Sequence, residues 1–193
     1  SKEKDILSRF KPIELAAIDS ATNELIEAAE DLMGFKPNDA LTMARVPGLV
    51  QGVSALINAV YRPGKVDSGL KRLIGFVCSS VNECQYCMAH VASSAQDNGI
   101  TPAKLIALEE YETNNFFTDR ERSALHIGRY GSQSPSDVDD NMFAEFMKHF
   151  DEVERLEILA VVSLFGFLNR WNSIAMTEIE PEPRNAFENL EAV

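Results

Sequence analysis

Basic residues are scarce in this 193-residue chain: 18 Lys and Arg stand against 30 Asp and Glu, a net charge of −12. That balance argues against a nucleic-acid partner, because phosphate backbones are held by clustered Lys and Arg. It leaves no polybasic segment for an anionic membrane surface. Long apolar runs are missing as well. The longest, Ile158 to Leu168, falls short of the roughly 20 residues that span a bilayer. The start, Ser1-Lys2-Glu3-Lys4-Asp5, is charged and leads into no apolar run, unlike a signal peptide. Three cysteines do not make a secreted disulfide framework. The expected compartment is a reducing cytoplasm, where a close cysteine pair is catalytic or metal-binding. No stretch alternates as a strand, no segment is of low complexity, and the two halves share no clear motif.

What is present is helical period. Hydrophobic residues make up 45% of the chain, enough for a sizeable core. Ile13, Ala17, Ile18, Ala21, Leu25, Ala28, Ala29 and Leu32 follow a three-four spacing that Gly34 ends. Asn38 or Asp39 caps a short helix through Ala44, and Pro47 opens another through Val60. Asp67 or Ser68 caps a helix carrying Leu70, Leu73, Ile74, Val77 and Cys78. Asn82 and Gln85 read as a capping box, which places Cys84 near the second position of a helix ending at Asn98-Gly99. Helices from Pro102 to about Glu110, from Thr118 to Tyr130, and from Ser136 or Asp137 to Phe150 follow. The longest starts at Asp151 and reaches about Met176, and its apolar middle suits a core or a subunit interface. The expectation is one all-α domain over residues 1–193.

The chemistry is concentrated in Glu83-Cys84-Gln85-Tyr86-Cys87-Met88-Ala89-His90, which holds two of the three cysteines and one of the three histidines. On a helix, Cys84, Cys87 and His90 step round by about 60° each, so Cys87 neighbours both of the others. The helix N-terminus favours Cys84 as an anion. His90 is placed to accept the proton of Cys87, directly or through water. Glu83 opposes both, as a nearby negative charge. One thiolate would attack a peroxide oxygen, and the sulfenic acid so formed would condense with the other thiol to a disulfide. An external dithiol would reset the pair.

Other readings compete. The pair could be two buried small apolar groups. Cys78, Cys84, Cys87 and His90 could bind zinc, although structural zinc draws on two separated knuckles. A thioredoxin motif would follow a strand, and the segment before Cys84 is a helix. His126 and His149 read as surface or satisfied core residues, and Cys78 as core. Trp171, Asn169 and Asn172 read as structural rather than pocket residues. Phe116 and Phe117 read as packing rather than as a channel wall.

A helix followed at once by Asn82-Glu83-Cys84-Gln85-Tyr86-Cys87-Met88-Ala89-His90 resembles the AhpD-like alkylhydroperoxidase branch of the carboxymuconolactone decarboxylase superfamily. The flanking segments Met43-Ala44-Arg45-Val46-Pro47-Gly48-Leu49 and Phe117 to Leu125 are similar to helices of these proteins. So is Phe167-Leu168-Asn169-Arg170-Trp171-Asn172 before Thr177-Glu178-Ile179-Glu180. The likeness covers roughly residues 35 to 183. It implies an all-helical fold and a homo-oligomer (trimer, hexamer or dimer). It also implies reduction of hydroperoxides by a peroxiredoxin-type thiol peroxidase with an external dithiol reductant and no cofactor or metal. Carried over, Cys87 is the peroxidatic thiol, Cys84 its partner and proton donor, and His90 the relay histidine. The alternative is a non-catalytic oligomeric or redox-sensing protein that uses the cysteine pair, and after it a zinc-binding protein.

Two positions depart from the family pattern. Best-known members place the histidine one residue later, where this chain has Val91. Their relay glutamate, about three turns before the first cysteine, is replaced by Lys71-Arg72. Glu109, Glu110 and Glu121 are the carboxylates considered as substitutes.

Overall fold

The structure, a computed structural model, describes residues 8–191. The charged first residues and their reading as no signal peptide lie outside the described residues. Ten α-helices follow in order, with no strand among the described residues: α1 (Ser20–Met33), α2 (Asn38–Met43), α3 (Leu49–Tyr61), α4 (Ser68–Val81), α5 (Gln85–Asp97), α6 (Pro102–Ile106), α7 (Asp119–Gly131), α8 (Asp140–His149), α9 (Glu152–Ala175) and α10 (Pro181–Glu191). The all-α expectation holds.

Helix α4 is the centre of the fold, packed against α5, α7 and α9. Its Leu73, Ile74 and Cys78 are wholly buried. Asp67 caps it by accepting the Leu70 N–H. Gly75 lets α9 come close: a Cβ there would lie 2.5 Å from the Phe165 ring. Beside this contact Lys71 is buried too. Its Nζ donates to the carbonyls of Val60 (2.9 Å) and Arg62 (3.2 Å) and pairs with Glu157 at 3.2 Å. A buried ammonium is tolerable only with such partners.

The capping boxes at Thr118/Glu121 and Asp151/Glu154 are present as read. Several expectations shift. Helix α2 starts at Asn38 with Pro37 at its N-cap, so neither Asn38 nor Asp39 is the cap. The first helix begins only at Ser20, capped by Asp19, because residues 15–17 form a separate 3-10 turn. Helix α8 is capped by Asp139 rather than by Ser136 or Asp137. Helix α10 has no counterpart among the expected elements. It packs on α5, and that contact fixes the segment just before it, which carries Glu180.

In α9 the apolar middle is not buried all round. Ile158, Val161, Leu164 and Phe165 enter the core, while Val153, Leu156, Leu159 and Ile174 face outward and are about half exposed or more. By length and composition alone α9 could cross a membrane, but its inner face is the wall against which α4 packs.

Candidate active site

The thiol pair sits at the break between α4 and α5. Helix α4 ends at Val81, and Glu83 takes a left-handed conformation with φ 51°. For a residue with a Cβ that conformation costs about 1–2 kcal/mol. It turns the chain sharply, and the Cys84 N–H then donates back to Ser79 O at 2.9 Å. Cys84 is therefore the N-cap of α5 rather than its second residue, with extended φ and ψ. As N-cap, its sulfur accepts the Cys87 N–H at 3.4 Å. The expected Asn82/Gln85 box gives way because Asn82 is used as the C-cap of α4.

The two sulfurs lie 2.7 Å apart and both cysteines are free. That is well beyond a disulfide bond of ~2.05 Å and close enough for one thiol to donate to the other. Donation from Cys87, followed by contributions from the Cys87 N–H, Ser173 and Asn169, outweighs burial and brings the Cys84 thiol down from 9.0 to about 7. Cys87 moves upward instead, because it holds the shared proton, is buried, and faces the Cys84 charge. Of the two, Cys84 is the thiol favoured as anion and Cys87 the one favoured to keep the shared proton.

His90 does not reach the sulfurs by hydrogen bond. Its Nε2 lies 2.6 Å from Glu180 Oε2, and its ring stacks on Tyr86 with centroids 4.1 Å apart. Tyr86 donates to Glu180 Oε1 at 2.8 Å and lies 3.2 Å from Asp39 Oδ1. Asn172 joins this cluster to the thiols: its Nδ2 is 3.4 Å from Asp39 Oδ2 and 3.7 Å from Cys87 Sγ. Burial pushes the Asp39 carboxyl up, and the nearby Glu180 charge adds to that against the opposing pull of His90. Burial also acts on Glu180, but His90 and the Asn38 N–H hold its carboxyl below the ordinary value. Tyr86 stays protonated, driven well up by burial and by the two carboxylates.

The carboxylate that faces His90 is Glu180, from the other end of the chain. Arg72 itself points away. It donates to Ser94 Oγ (2.7 Å) and the Ser68 hydroxyl (2.6 Å), and it lies over the Tyr61 ring. None of the three carboxylates considered as substitutes joins the thiols. Glu121 pairs with Lys104, and Glu109 and Glu110 are exposed. Cys78 donates to Gly128 O at 3.4 Å, and burial lifts its thiol to about 12. With Cys78 and His90 so engaged, the zinc set of Cys78, Cys84, Cys87 and His90 is not assembled. His126 and His149 face Glu112 and Glu145. Asn172, read as structural, lies beside the thiols, with its Nδ2 3.7 Å from Cys87 Sγ. Asp39 had a visible role only as a helix cap, and Glu180 was visible only as part of the similar C-terminal segment.

Residues 47–129, which hold both cysteines and His90, match the carboxymuconolactone decarboxylase family model. Among solved structures, the chain is similar to the debrominase Bmp8, seen as a cysteine-to-alanine variant in complex with 2,3,4-tribromopyrrole. The two are 27% identical, with 97% of this chain and 100% of that one covered and a TM-score of 0.87. A peroxidase-related protein with an alkylhydroperoxidase AhpD core from Ralstonia eutropha JMP134 is 22% identical, covers 93% of this chain and 96% of its own, and has a TM-score of 0.83. The uncharacterized protein YnjA of Escherichia coli (strain K12) is 25% identical over 130 residues, 67% of this chain and 71% of YnjA. The central region of the chain is thus similar to the carboxymuconolactone decarboxylase family, and its all-helical fold is similar to that of the AhpD-core protein.

Proposed function

We propose that this protein is a thiol-dependent reductase of hydroperoxides, with Cys84 and Cys87 as its two-electron donor. The observation that carries the reading is the contact of the two sulfurs at 2.7 Å, with the anion favoured on Cys84. The Cys84 thiolate attacks the outer peroxide oxygen, the O–O bond breaks, and the alkoxide leaves and takes up a proton. Cys84 is now a sulfenic acid. Cys87 attacks its sulfur, water leaves, and a disulfide forms. An external dithiol returns the pair to thiols by exchange. His90 and Glu180 hold the proton chain beside the site, in place of the relay glutamate that Arg72 replaces. The outward Val153, Leu156 and Leu159 of α9 support a homo-oligomer with this face as its interface.

The test is peroxide consumption with dithiothreitol as reductant. Cys84→Ser and Cys87→Ser should each abolish turnover. Turnover at the parent rate in either variant would sink the proposal.

A second reading is favoured by the likeness to the debrominase. The same thiolate could attack the halogen of a bromopyrrole, taking Br⁺ as a sulfenyl bromide, which Cys87 then displaces as bromide while the ring carbon is protonated. Bromide release from a tribromopyrrole, measured beside peroxide consumption, separates the two substrate classes.

A further inference from the structure

The Tyr86 hydroxyl carries one hydrogen and sits between two carboxyl groups, 2.8 Å from Glu180 Oε1 and 3.2 Å from Asp39 Oδ1. It can donate to only one of them. Glu180 has the stronger claim as the anion, because it also accepts from the Asn38 N–H and faces His90 Nε2. The Tyr86 oxygen also accepts the Asp39 N–H at 3.4 Å, and the shorter carboxyl contact is a hydrogen bond when Asp39 bears a proton and donates it to the remaining lone pair. The Ala40 N–H, 2.8 Å away, occupies another lone pair of Oδ1. Two carboxyl groups so close to one hydroxyl behave as a pair that shares one proton.

This pair is not isolated from the thiols. Asn172 Nδ2 donates to Leu168 O at 3.1 Å, and its second hydrogen lies between Asp39 Oδ2 (3.4 Å) and Cys87 Sγ (3.7 Å) and serves either. The groups facing Asp39 are Tyr86, His90 and Cys87 from α5, Glu180 from the segment before α10, and the uncharged Asn172 from α9. When the disulfide is reduced, a negative thiolate appears in this setting. A carboxyl group nearby then holds its proton more tightly, and by reciprocity a protonated carboxyl favours the thiolate.

We propose that Asp39 is a redox-linked proton store: it takes up a proton when the Cys84–Cys87 disulfide is reduced and gives it up when the disulfide forms. The steps balance. The disulfide takes two electrons and one proton to become the Cys84 thiolate and the Cys87 thiol, and the Asp39 carboxylate takes a second proton. The electrons come from the external dithiol. Asp39 acts through Asn172 and is a positioning residue, not one that touches the reacting sulfur. The inference rests on the thiol-pair reading but not on the identity of the oxidant.

The test is the midpoint potential of the pair against pH in dithiothreitol redox buffers, with the disulfide counted by mass spectrometry. For a two-electron couple each proton taken up contributes about 30 mV per pH unit. Above the Cys84 value of about 7, the parent should keep the slope of two protons, while Asp39→Asn falls to the slope of one. A one-proton slope in the parent, or a two-proton slope in the variant, overturns the proposal. If Asp39→Asn fails to fold, infrared difference spectra of the parent decide. Reduction should bring up the carbonyl band of a protonated carboxyl group, and a spectrum without it refutes the store. Neither measurement uses a peroxide. A pair with these slopes that consumes no hydroperoxide refutes the peroxidase reading alone. A working peroxidase with a one-proton slope refutes the proton store alone.

Discussion

Replacing Cys87 by alanine should make Cys84 a poor nucleophile even towards reagents that need no second thiol. The first cause of the Cys84 shift from 9.0 to about 7 is the hydrogen bond from Cys87. Two pKa units correspond to about 3 kcal/mol of preference for the thiolate. At pH 7 a thiol of pKa about 7 is half ionised, whereas one of pKa about 9 is about 1% ionised, a ratio of about 50. The remaining N-cap donor, the Cys87 N–H, survives the substitution because it belongs to the backbone. The loss should therefore be large but not total, a fall of between about tenfold and 50-fold at pH 7. The assay is the rate of Cys84 alkylation by iodoacetamide against pH, followed by mass spectrometry in a Cys78→Ser background. The parent should show a midpoint near 7 and Cys87→Ala one displaced upward by one to two units. An unmoved midpoint in Cys87→Ala would refute the sharing of one proton between the sulfurs.

Three other outcomes follow from the same structure. Gly75→Ala should lower stability by about 1–2 kcal/mol in urea melts despite the better helix propensity of alanine, since the new methyl meets Phe165 inside the α4–α9 crossing; an unchanged midpoint would contradict that contact. Glu180 has a folded pKa below its ordinary 4.5, so its contribution is fully present above that value and is lost as pH falls through the lowered one. The stability lead of the parent over Glu180→Gln should accordingly shrink on acidification, and a pH-independent gap would count against the His90–Glu180 interaction. Cys78, wholly buried and pushed up to about 12, should resist iodoacetamide in the native protein at pH 8 while Cys84 reacts; equal labelling would contradict its placement.

The helices were legible in the sequence because their signals are local. Period, caps such as Thr118 and Asp151, and stops such as Gly34 all act within a few residues. The thiol pair was legible for the same reason. The carboxyl cluster was not. Asp39, Tyr86, Asn172 and Glu180 meet across separations of 47 to 133 residues, and no periodicity encodes which distant carboxylate faces a histidine. The sequence places Cys84 too deep in α5 because Asn82 is a good N-cap by type. Only the left-handed Glu83 moves the start of α5 past it. Arg72 drew attention by sequence position, yet Tyr61 and Ser94 hold it on another face of α4. The carboxylate beside His90 comes from the segment just before α10, which packs on α5.

The central claim is that Cys84 and Cys87 together deliver two electrons. The most direct measurement is a single turnover: reduced protein, freed of reductant, mixed with one equivalent of an organic hydroperoxide, then quenched and digested. The account predicts one hydroperoxide reduced per chain, the mass of the protein lowered by two hydrogens, and one Cys84–Cys87 disulfide, with Cys78 still a thiol. Peroxide left unconsumed, or consumed with the mass rising by oxygen and no Cys84–Cys87 link, would contradict it.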